Sequence, residues 1–385
     1  MRPHKILVTG ASGFIGGRVV ERLALERLDS VRALVHKWSR AARPAKFPID
    51  IVAGDMMSQQ DAAAAMQGVT HVVHCAYASA PESVVEGTRN LLAAALAAGV
   101  DRFVYVSTAE VYGAAVQGEI DESAPTEQSG SAYGDSKIDA ETLCREFHQR
   151  GLSTAIVRPS IVYGPCSLSW IVGTAKRLQS GRWSEFEGYG DGVCNAVYVD
   201  DLVTAILLAA QHPAASGEAF NVNGPDKITW NEYFRKLNSA MQLPPLTKQS
   251  AGKSARRSAV TERVGNVIRL FVRQFEDRLM EIYLRGGTAS RIMKRVKTIL
   301  DSTPSPTELE KLYSRGAVYS DQKARDVLGY RPRYDLEKGL QLSVLWLKQN
   351  GYVEAATSTD AEPCEPILAR TPKAQEHAEP VAAAH

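Results

Sequence analysis

The sequence lacks several features that would assign it to a specialised class of protein. Its 385 residues contain no run of 18 apolar side chains, about the length needed to span a bilayer. Five cysteines occur without CxxC or metal-ligand spacing, which indicates reduced thiols and predicts no metal site. The formal net charge of +2 gives no reason to expect a nucleic-acid partner. Because the first residues show no signal-peptide pattern, we expect a cytoplasmic protein.

Short apolar runs rich in β-branched residues alternate with longer helical patterns over the first 165 residues. Runs such as HVVHC are apolar at nearly every position, which is typical of strands covered by helices on both faces. We therefore predict an α/β fold, with a doubly wound parallel Rossmann sheet in a dinucleotide-binding domain over residues 1–165. Its strands are predicted at residues 6–8, 31–35, 50–52, 71–75, 103–106 and 154–157.

The pattern becomes less regular after residue 165. We predict a smaller, mixed substrate-binding part over residues 166–353, some of whose strands return to the main sheet. The segment 354–385 is rich in Ala, Glu and Pro and has few large apolar side chains, so it is predicted to be disordered.

A basic, amphipathic helical insert is predicted at residues 250–300. Residues 248–297 contain 13 Lys and Arg against 4 Asp and Glu, and apolar side chains recur at helical spacing between residues 264 and 283. Two interpretations stay open. The insert packs on its own domain or across a homodimer, or it contacts a membrane peripherally through residues 263–285.

A glycine-rich turn follows the first predicted strand. Gly10, Gly13 and Gly16 occur in TGASGFIG, and a helical pattern begins at Phe14 and Ile15. Glycines in this context let the backbone approach a pyrophosphate, whose charge is met by the positive N-terminal end of the helix. The sequence therefore predicts a dinucleotide cofactor seated on this turn.

The residues after the second predicted strand bear on which cofactor binds. An acidic side chain there would bind the adenosine ribose of NAD, but the segment VHKWSR has none. His36 and Arg40 can instead pair with a 2′-phosphate, so NADP is preferred and NAD is the alternative. Asp55, followed by Met56, is placed either to accept from the adenine amino group or to cap the next helix.

Three side chains suit acid/base chemistry. Tyr133 and Lys137 lie one helical turn apart in SAYGDSK and project from one helix face. The ammonium is expected to lower the pKa of the phenol from its free value of about 10. Thr108 follows the strand at 103–106, at the sheet edge where open α/β folds bind ligands, and would orient a substrate oxygen.

Together these features resemble the extended short-chain dehydrogenase/reductase superfamily, in its NAD-dependent epimerase/dehydratase branch. The motifs are TGASGFIG, AGD, HCAYA, STAEVYG, YGDSK, RPSIVYGP and VDDL, covering residues 4 to about 240 and resuming at 318–340. The resemblance implies hydride transfer, with Tyr133 as acid/base, Lys137 as its modulator and ribose ligand, and Thr108 as hydroxyl partner. It also implies that the cofactor is lined by Cys75, Ala76, Tyr77, Pro159 and Ile161.

The sequence departs from relatives that act on nucleotide sugars. Those relatives often hold the substrate diphosphate with an Asn and an Arg at the positions of Ile161 and Cys194. Arg177, Arg182 or Arg325 could replace these contacts.

Three functions therefore stay open for a small-molecule substrate. The leading one is an epimerase, dehydratase or reductase of a nucleotide sugar. The second is an NADP(H)-dependent reductase or dehydrogenase of an apolar alcohol of the hydroxysteroid or dihydroflavonol type. The third, a non-catalytic dinucleotide sensor, would be expected to have lost the pair Tyr133 and Lys137, which this sequence keeps.

Overall fold

Strands and helices alternate through the computed structural model, which describes residues 4–26, 30–78, 80–113, 117–274 and 302–353, with the backbone alone for 264–274. The strands are β1 (Lys5–Thr9), β2 (Ser30–Val35), β3 (Asp50–Ala53), β4 (His71–His74), β5 (Arg102–Val106), β6 (Gly118–Ile120), β7 (Thr154–Pro159), β8 (Ile161–Tyr163), β9 (Ser184–Phe186), β10 (Val193–Cys194), β11 (Ala196–Tyr198), β12 (Ala219–Val222), β13 (Ile228–Thr229), β14 (Thr247–Gln249) and β15 (Ala317–Tyr319). The helices are α1 (Phe14–Glu26), α2 (Gln59–Ala65), α3 (Pro81–Ala97), α4 (Ala132–Gln149), α5 (Thr174–Gln179), α6 (Val199–Gln211), α7 (Trp230–Ala240), α8 (Ala251–Gln274), α9 (Gln322–Leu328) and α10 (Leu336–Gln349).

The central sheet is parallel throughout and has the order β3-β2-β1-β4-β5-β7-β12. The six strands predicted from the sequence are β1 to β5 and β7, so the doubly wound α/β fold is confirmed. Strands β2 and β3 lie on one side of β1, and the later strands β4, β5, β7 and β12 lie on the other. The strand order therefore reverses between β1 and β4. Open α/β sheets bind ligands in the crevice beyond such a reversal, at the carboxyl ends of the strands.

Helices cover both faces of this sheet. Along β1, Val8 packs on one side with Val19 and Leu23 of α1, while the neighbouring Leu7 packs on the other side with Leu91 and Leu92 of α3. Both faces are therefore buried, which explains why the strands are apolar at consecutive positions rather than at every second one.

Smaller strand pairs lie beside the carboxyl edge of the sheet. β8 pairs with β11, β9 with β14 and β6 with β15, all in parallel, and β10 pairs with β13 in antiparallel orientation. β12 follows residue 165 in the chain and yet pairs with β7 in the main sheet, as the sequence-based division allowed. The boundary at residue 165 itself stays a prediction.

Two other expectations fall largely on residues that the structure does not describe. The tail at 354–385 lies outside the described residues, as do residues 275–300 of the insert, which include residues 275–285 of the candidate membrane segment 263–285. The start of the insert is helical, because α8 continues to Gln274. Within the described residues, no helix is both long and apolar enough to cross a bilayer.

A buried ionic network fixes α4 against the sheet. Glu141 of α4 accepts hydrogen bonds from Arg158 of β7 at 2.9 and 2.6 Å, from the Ser107 hydroxyl at 2.7 Å and from Arg145 at 2.8 Å. Arg158 also donates to the Tyr112 hydroxyl at 2.8 Å. Because Glu141 and Arg158 are almost completely buried, each needs the other to offset the cost of desolvation.

We expect Arg158→Met to destabilise the fold by about 3 kcal/mol, because it leaves the Glu141 carboxylate buried with its main partner gone. Urea unfolding followed by circular dichroism measures the loss. The matched control is Arg89→Met, which breaks an exposed pair with Glu86 and should cost about 0–1 kcal/mol. Equal losses for the two variants would show that the buried network does not stabilise this helix.

Candidate active site

The glycine turn after β1 has the tight geometry that a bound pyrophosphate requires. Gly10 has a φ of +64°, and a Cβ there would lie 2.8 Å from the backbone of Cys75 and Ala76. A Cβ on Gly16 would overlap the Gly10 carbonyl oxygen. The first turn of α1, which begins at Phe14, carries no acidic residue, so its free N–H groups face the cavity without a competing anion. The turn therefore fits the phosphates of a dinucleotide.

The end of β4 lies directly against this turn. Thr9 Oγ1 is 2.6 Å from His74 Nδ1 and accepts from the Ala76 N–H at 3.2 Å. His74 Nε2 is 3.1 Å from Thr88 Oγ1, and burial lowers the pKa of His74 to about 3, so the imidazole is neutral. This network positions Cys75 and Ala76 beside Gly10. Burial raises the pKa of the Cys75 thiol to about 12, so the thiol stays protonated and unreactive at neutral pH.

The loop after β2 carries the two residues predicted to bind a 2′-phosphate, Arg40 and His36. Arg40 lines the main cavity, as do Ser12 and Gly13 of the glycine turn. His36 is exposed, with Nδ1 3.9 Å from a carboxylate oxygen of Asp55.

Asp55 and Met56 lie at the end of β3, where their contacts are local. Asp55 accepts from the Met57 N–H at 3.0 Å, and Ser58, rather than Asp55, caps α2 by accepting from the Asp61 N–H at 3.2 Å. Met56 lies against Gly87 of α3. The alternative that Asp55 caps the next helix is therefore wrong, because Ser58 occupies that position.

Tyr133 and Thr108 face one another in the cavity. Ser131 caps α4 by accepting from the Gly134 N–H at 3.3 Å, so Tyr133 lies in the first helical turn. Its phenol interacts with the nearby Thr108 hydroxyl, and both residues line the cavity. Tyr77 packs edge-on against Tyr133 with ring centroids 5.1 Å apart.

The expected lowering of the Tyr133 pKa does not occur in this geometry. Burial raises the pKa of Tyr133 to about 12, although the nearby Thr108 hydroxyl opposes the shift. Lys137 does not reverse it, because its Nζ donates to the Val106 carbonyl at 2.9 Å and lies 6.0 Å from the Tyr133 ring centroid. The phenol therefore carries its proton at neutral pH.

Lys137 is buried beside the rings of Tyr77 and Tyr133. Burial lowers the pKa of Lys137 to about 8, and Nζ also lies 4.8 Å from the Tyr105 ring centroid. An ammonium held in this way is positively charged at neutral pH and becomes neutral in mildly alkaline solution. It is suited to holding ribose hydroxyls while it is protonated.

One large cavity, of about 1180 Å³, joins the glycine turn to Tyr133. The predicted residues that line it are Gly13, Phe14, Ile15, Arg40, Thr108, Tyr133, Pro159 and Ile161. Its lining also includes several large apolar side chains, namely Leu168, Trp170, Val193, Trp230, Leu312 and Trp346.

Some residues of the cavity were not anticipated from the sequence. Arg43 is one: its Nη1 donates to the Gly13 carbonyl at 2.6 Å and its Nε to Glu21 at 2.8 Å, so it lies across the glycine turn. The only indication of this role in the sequence is its position three residues after Arg40. Lys311 and Arg315 also line the cavity, but they come from beyond the insert, where no local pattern points to the site.

The arginines expected to replace the diphosphate contacts lie elsewhere. Arg177 pairs with Glu308 at 2.8 Å, and Arg325 pairs with Asp321 at 2.9 Å. Arg182 is exposed on the loop before β9. Since none of the three is among the residues lining the described cavity, that expectation is wrong. The cause is that each side chain points toward its own local partner or toward solvent.

The fold, the glycine turn and the Tyr133 side of the cavity define a dinucleotide-dependent oxidoreductase of the extended short-chain dehydrogenase type. The sequence matches the model of the NAD dependent epimerase/dehydratase family over residues 6–223. The chain belongs to this family.

Relatives are similar over nearly the whole chain. A 2-alkyl-3-oxoalkanoate reductase of Stenotrophomonas maltophilia is 30% identical, covering 88% of this chain and 97% of the relative. A 3-beta-hydroxysteroid dehydrogenase of Mycolicibacterium neoaurum is 26% identical, covering 96% and 97%. Among solved structures, a dTDP-glucose 4,6-dehydratase of Streptomyces venezuelae with NAD bound is 25% identical, has a TM-score of 0.67, and is matched over 92% of this chain and 99% of its own.

We expect the affinity for NADPH to fall as the pH rises through about 8, because Lys137 then loses the proton that lets it hold ribose hydroxyls as a cation. Below that pH the ammonium is fully formed and the dissociation constant should stay level. Fluorescence titration of NADPH between pH 6.5 and about 9.5 gives the profile. Lys137→Met should remove this pH dependence. If the affinity of that variant still falls near pH 8, the titrating group is not Lys137.

Proposed function

We propose that the protein reduces a ketone to a secondary alcohol on a largely apolar small molecule, with NADPH as cofactor. The observation that carries this proposal is that the Tyr133 phenol and the Thr108 hydroxyl line one cavity together with large apolar side chains such as Trp230. Ile161 and Cys194, in place of the Asn and Arg of nucleotide-sugar enzymes, also favour an apolar substrate. The names of the two relatives that match over nearly the whole chain agree with this class.

The proposed mechanism uses Tyr133 as the proton donor. When bound, the reduced nicotinamide supplies a hydride to the carbonyl carbon. Thr108 donates a hydrogen bond to the carbonyl oxygen and fixes it near the phenol. As negative charge develops on that oxygen, Tyr133 gives up its proton, and the product is a neutral alcohol. The phenolate then recovers a proton from solvent.

The free site holds Tyr133 in the form that reduction uses, because burial raises the pKa of the phenol to about 12. Oxidation of the alcohol would use the same groups in reverse, with the Tyr133 phenolate as base.

A nucleotide sugar remains the second candidate substrate. The specific observation in its favour is that Lys311 and Arg315 line the cavity and offer positive charge to a diphosphate. The named substrate of the dTDP-glucose 4,6-dehydratase belongs to this class. The epimerase or dehydratase activities that accompany such substrates would use the same Tyr133.

We expect NADPH to be consumed with a 3-ketosteroid or a 2-alkyl-3-oxo ester, and Tyr133→Phe to lower kcat about 100-fold or more while the NADPH dissociation constant stays unchanged, since only the proton donor is lost. The assay follows NADPH absorbance, with binding measured separately by fluorescence. Thr142→Val, on the outer part of α4, is the matched control and should keep full activity. Consumption of NADPH only with UDP- or dTDP-sugars would replace the proposed substrate class by the second candidate.

For the cofactor, we propose a preference for NADP over NAD that depends on Arg40 and His36. The double variant His36→Asp/Arg40→Ala should shift the ratio of NADPH to NADH affinity toward NADH by about tenfold or more, because a phosphate contact is lost and a ribose acceptor is gained. Lys46→Ala, a cation of the same loop, serves as control and should leave the ratio unchanged. If the double variant keeps the ratio of the parent protein, these two residues do not read the phosphate.

A further inference from the structure

Two cations from beyond the insert line the cavity, Lys311 and Arg315. Arg315 is half-buried, and its Nη1 donates to the Tyr319 hydroxyl at 2.9 Å while its Nε donates to the Lys311 carbonyl at 3.2 Å. Lys311 lies in the short helical segment Glu308–Tyr313, which ends just before Arg315. Both side chains line the same cavity as Tyr133 and Thr108. The charge is therefore inside the space that a substrate would fill.

The position of this guanidinium is fixed by the framework of the active site. Tyr319, which holds it, is buried and stacks on Tyr112 with ring centroids 5.7 Å apart. The backbone N–H of Tyr319 donates to Asn195 at 3.1 Å. Tyr112 belongs to the short turn that Thr108 caps. Arg315 is thus held at a defined distance from Thr108, as a specificity contact must be.

Neither cation has a carboxylate within ion-pair distance in the part of the chain that the structure describes. Other partly buried arginines near the cavity do: Arg43 pairs with Glu21, and Arg177 pairs with Glu308. Arg315 is half-buried and has lost part of the water that would solvate its charge, while Lys311 nearby is exposed. An anion bound to Arg315, with Lys311 close by, would supply the missing charge partner.

We propose that Lys311 and Arg315 form a subsite for a carboxylate carried by an otherwise apolar keto substrate. This inference rests on the proposed ketone reduction and specifies its substrate class. The planar guanidinium, already oriented by Tyr319, presents its remaining N–H groups as a fork that matches two carboxylate oxygens. Trp230 and Leu312, next to these cations in the cavity wall, suit a hydrocarbon skeleton better than a sugar. The substrate is therefore a keto acid.

Paired probes test the carboxylate separately from the carbon skeleton. 3-Hydroxydodecanoic acid and its methyl ester share the chain and the carbinol and differ only in charge. Their dissociation constants are measured by calorimetry with NADPH present, because an alcohol cannot react with the reduced cofactor. The variants are Arg315→Met and Lys311→Met, with Lys348→Met as control, since Lys348 on α10 is not among the residues lining the cavity and contacts Gln242.

We expect the wild type to bind the acid about tenfold or more tightly than the ester, and Arg315→Met to lose that preference with the affinity for the ester nearly unchanged. Lys311→Met should lose a smaller part of the preference, and Lys348→Met none. Equal binding of acid and ester by the wild type would overturn the carboxylate subsite while leaving ketone reduction in place.

UDP-glucose is the third probe, because a phosphoryl group offers the same negatively charged oxygens. Tight binding of UDP-glucose that falls in Arg315→Met, with weak binding of the acid, would overturn the carboxylate assignment in favour of a diphosphate. Failure of both the acid and the ester to bind the wild type would overturn the proposed substrate class itself, and this outcome is distinct from binding without preference.

Discussion

The site depends on the way in which one carboxylate is buried. Glu141 lies two helical turns after Tyr133 and one after Lys137, so the three side chains share a face of α4. Arg158 and Ser107 bind this carboxylate from β7 and from the residue that precedes Thr108. The contacts of Glu141 with Arg158 and Ser107 therefore fix the position of α4 along the strands β5 and β7. That placement brings the phenol of Tyr133 to Thr108 and the ammonium of Lys137 to the Val106 carbonyl.

The architecture was predictable from the sequence because its causes are local and repeated. Consecutive apolar positions in β1 and β4 follow from burial on both faces, and the positive φ of Gly10 follows from a backbone that passes close to Cys75 and Ala76. The parallel sheet and the glycine turn could be inferred from such patterns. The same holds for the i, i+4 spacing of Tyr133 and Lys137, since one helical turn fixes their relation without help from the rest of the fold.

The rest depends on contacts between distant parts of the chain. Arg177 carried the right charge for an anion site, but Glu308, 131 residues later in the chain, engages it, and no local pattern indicates that pair. Only the Asp321–Arg325 pair has a spacing, i and i+4, that is visible in the sequence. Arg315 enters the cavity because β15 pairs with β6, which is nearly 200 residues earlier in the chain. The protonation of Tyr133 could not be read from its neighbours in sequence either, because it is set by burial that only the packed site creates.

The central claim is that Tyr133, Thr108 and Lys137 face the nicotinamide end of a cofactor whose phosphates rest on the turn at Gly10. A crystal structure of the complex with NADPH tests it most directly. The account predicts the nicotinamide ring beside the Tyr133 hydroxyl and the adjoining ribose within hydrogen-bonding distance of Lys137 Nζ. A nicotinamide bound away from Tyr133, with the glycine turn still holding the phosphates, would contradict the assignment of this site to hydride transfer.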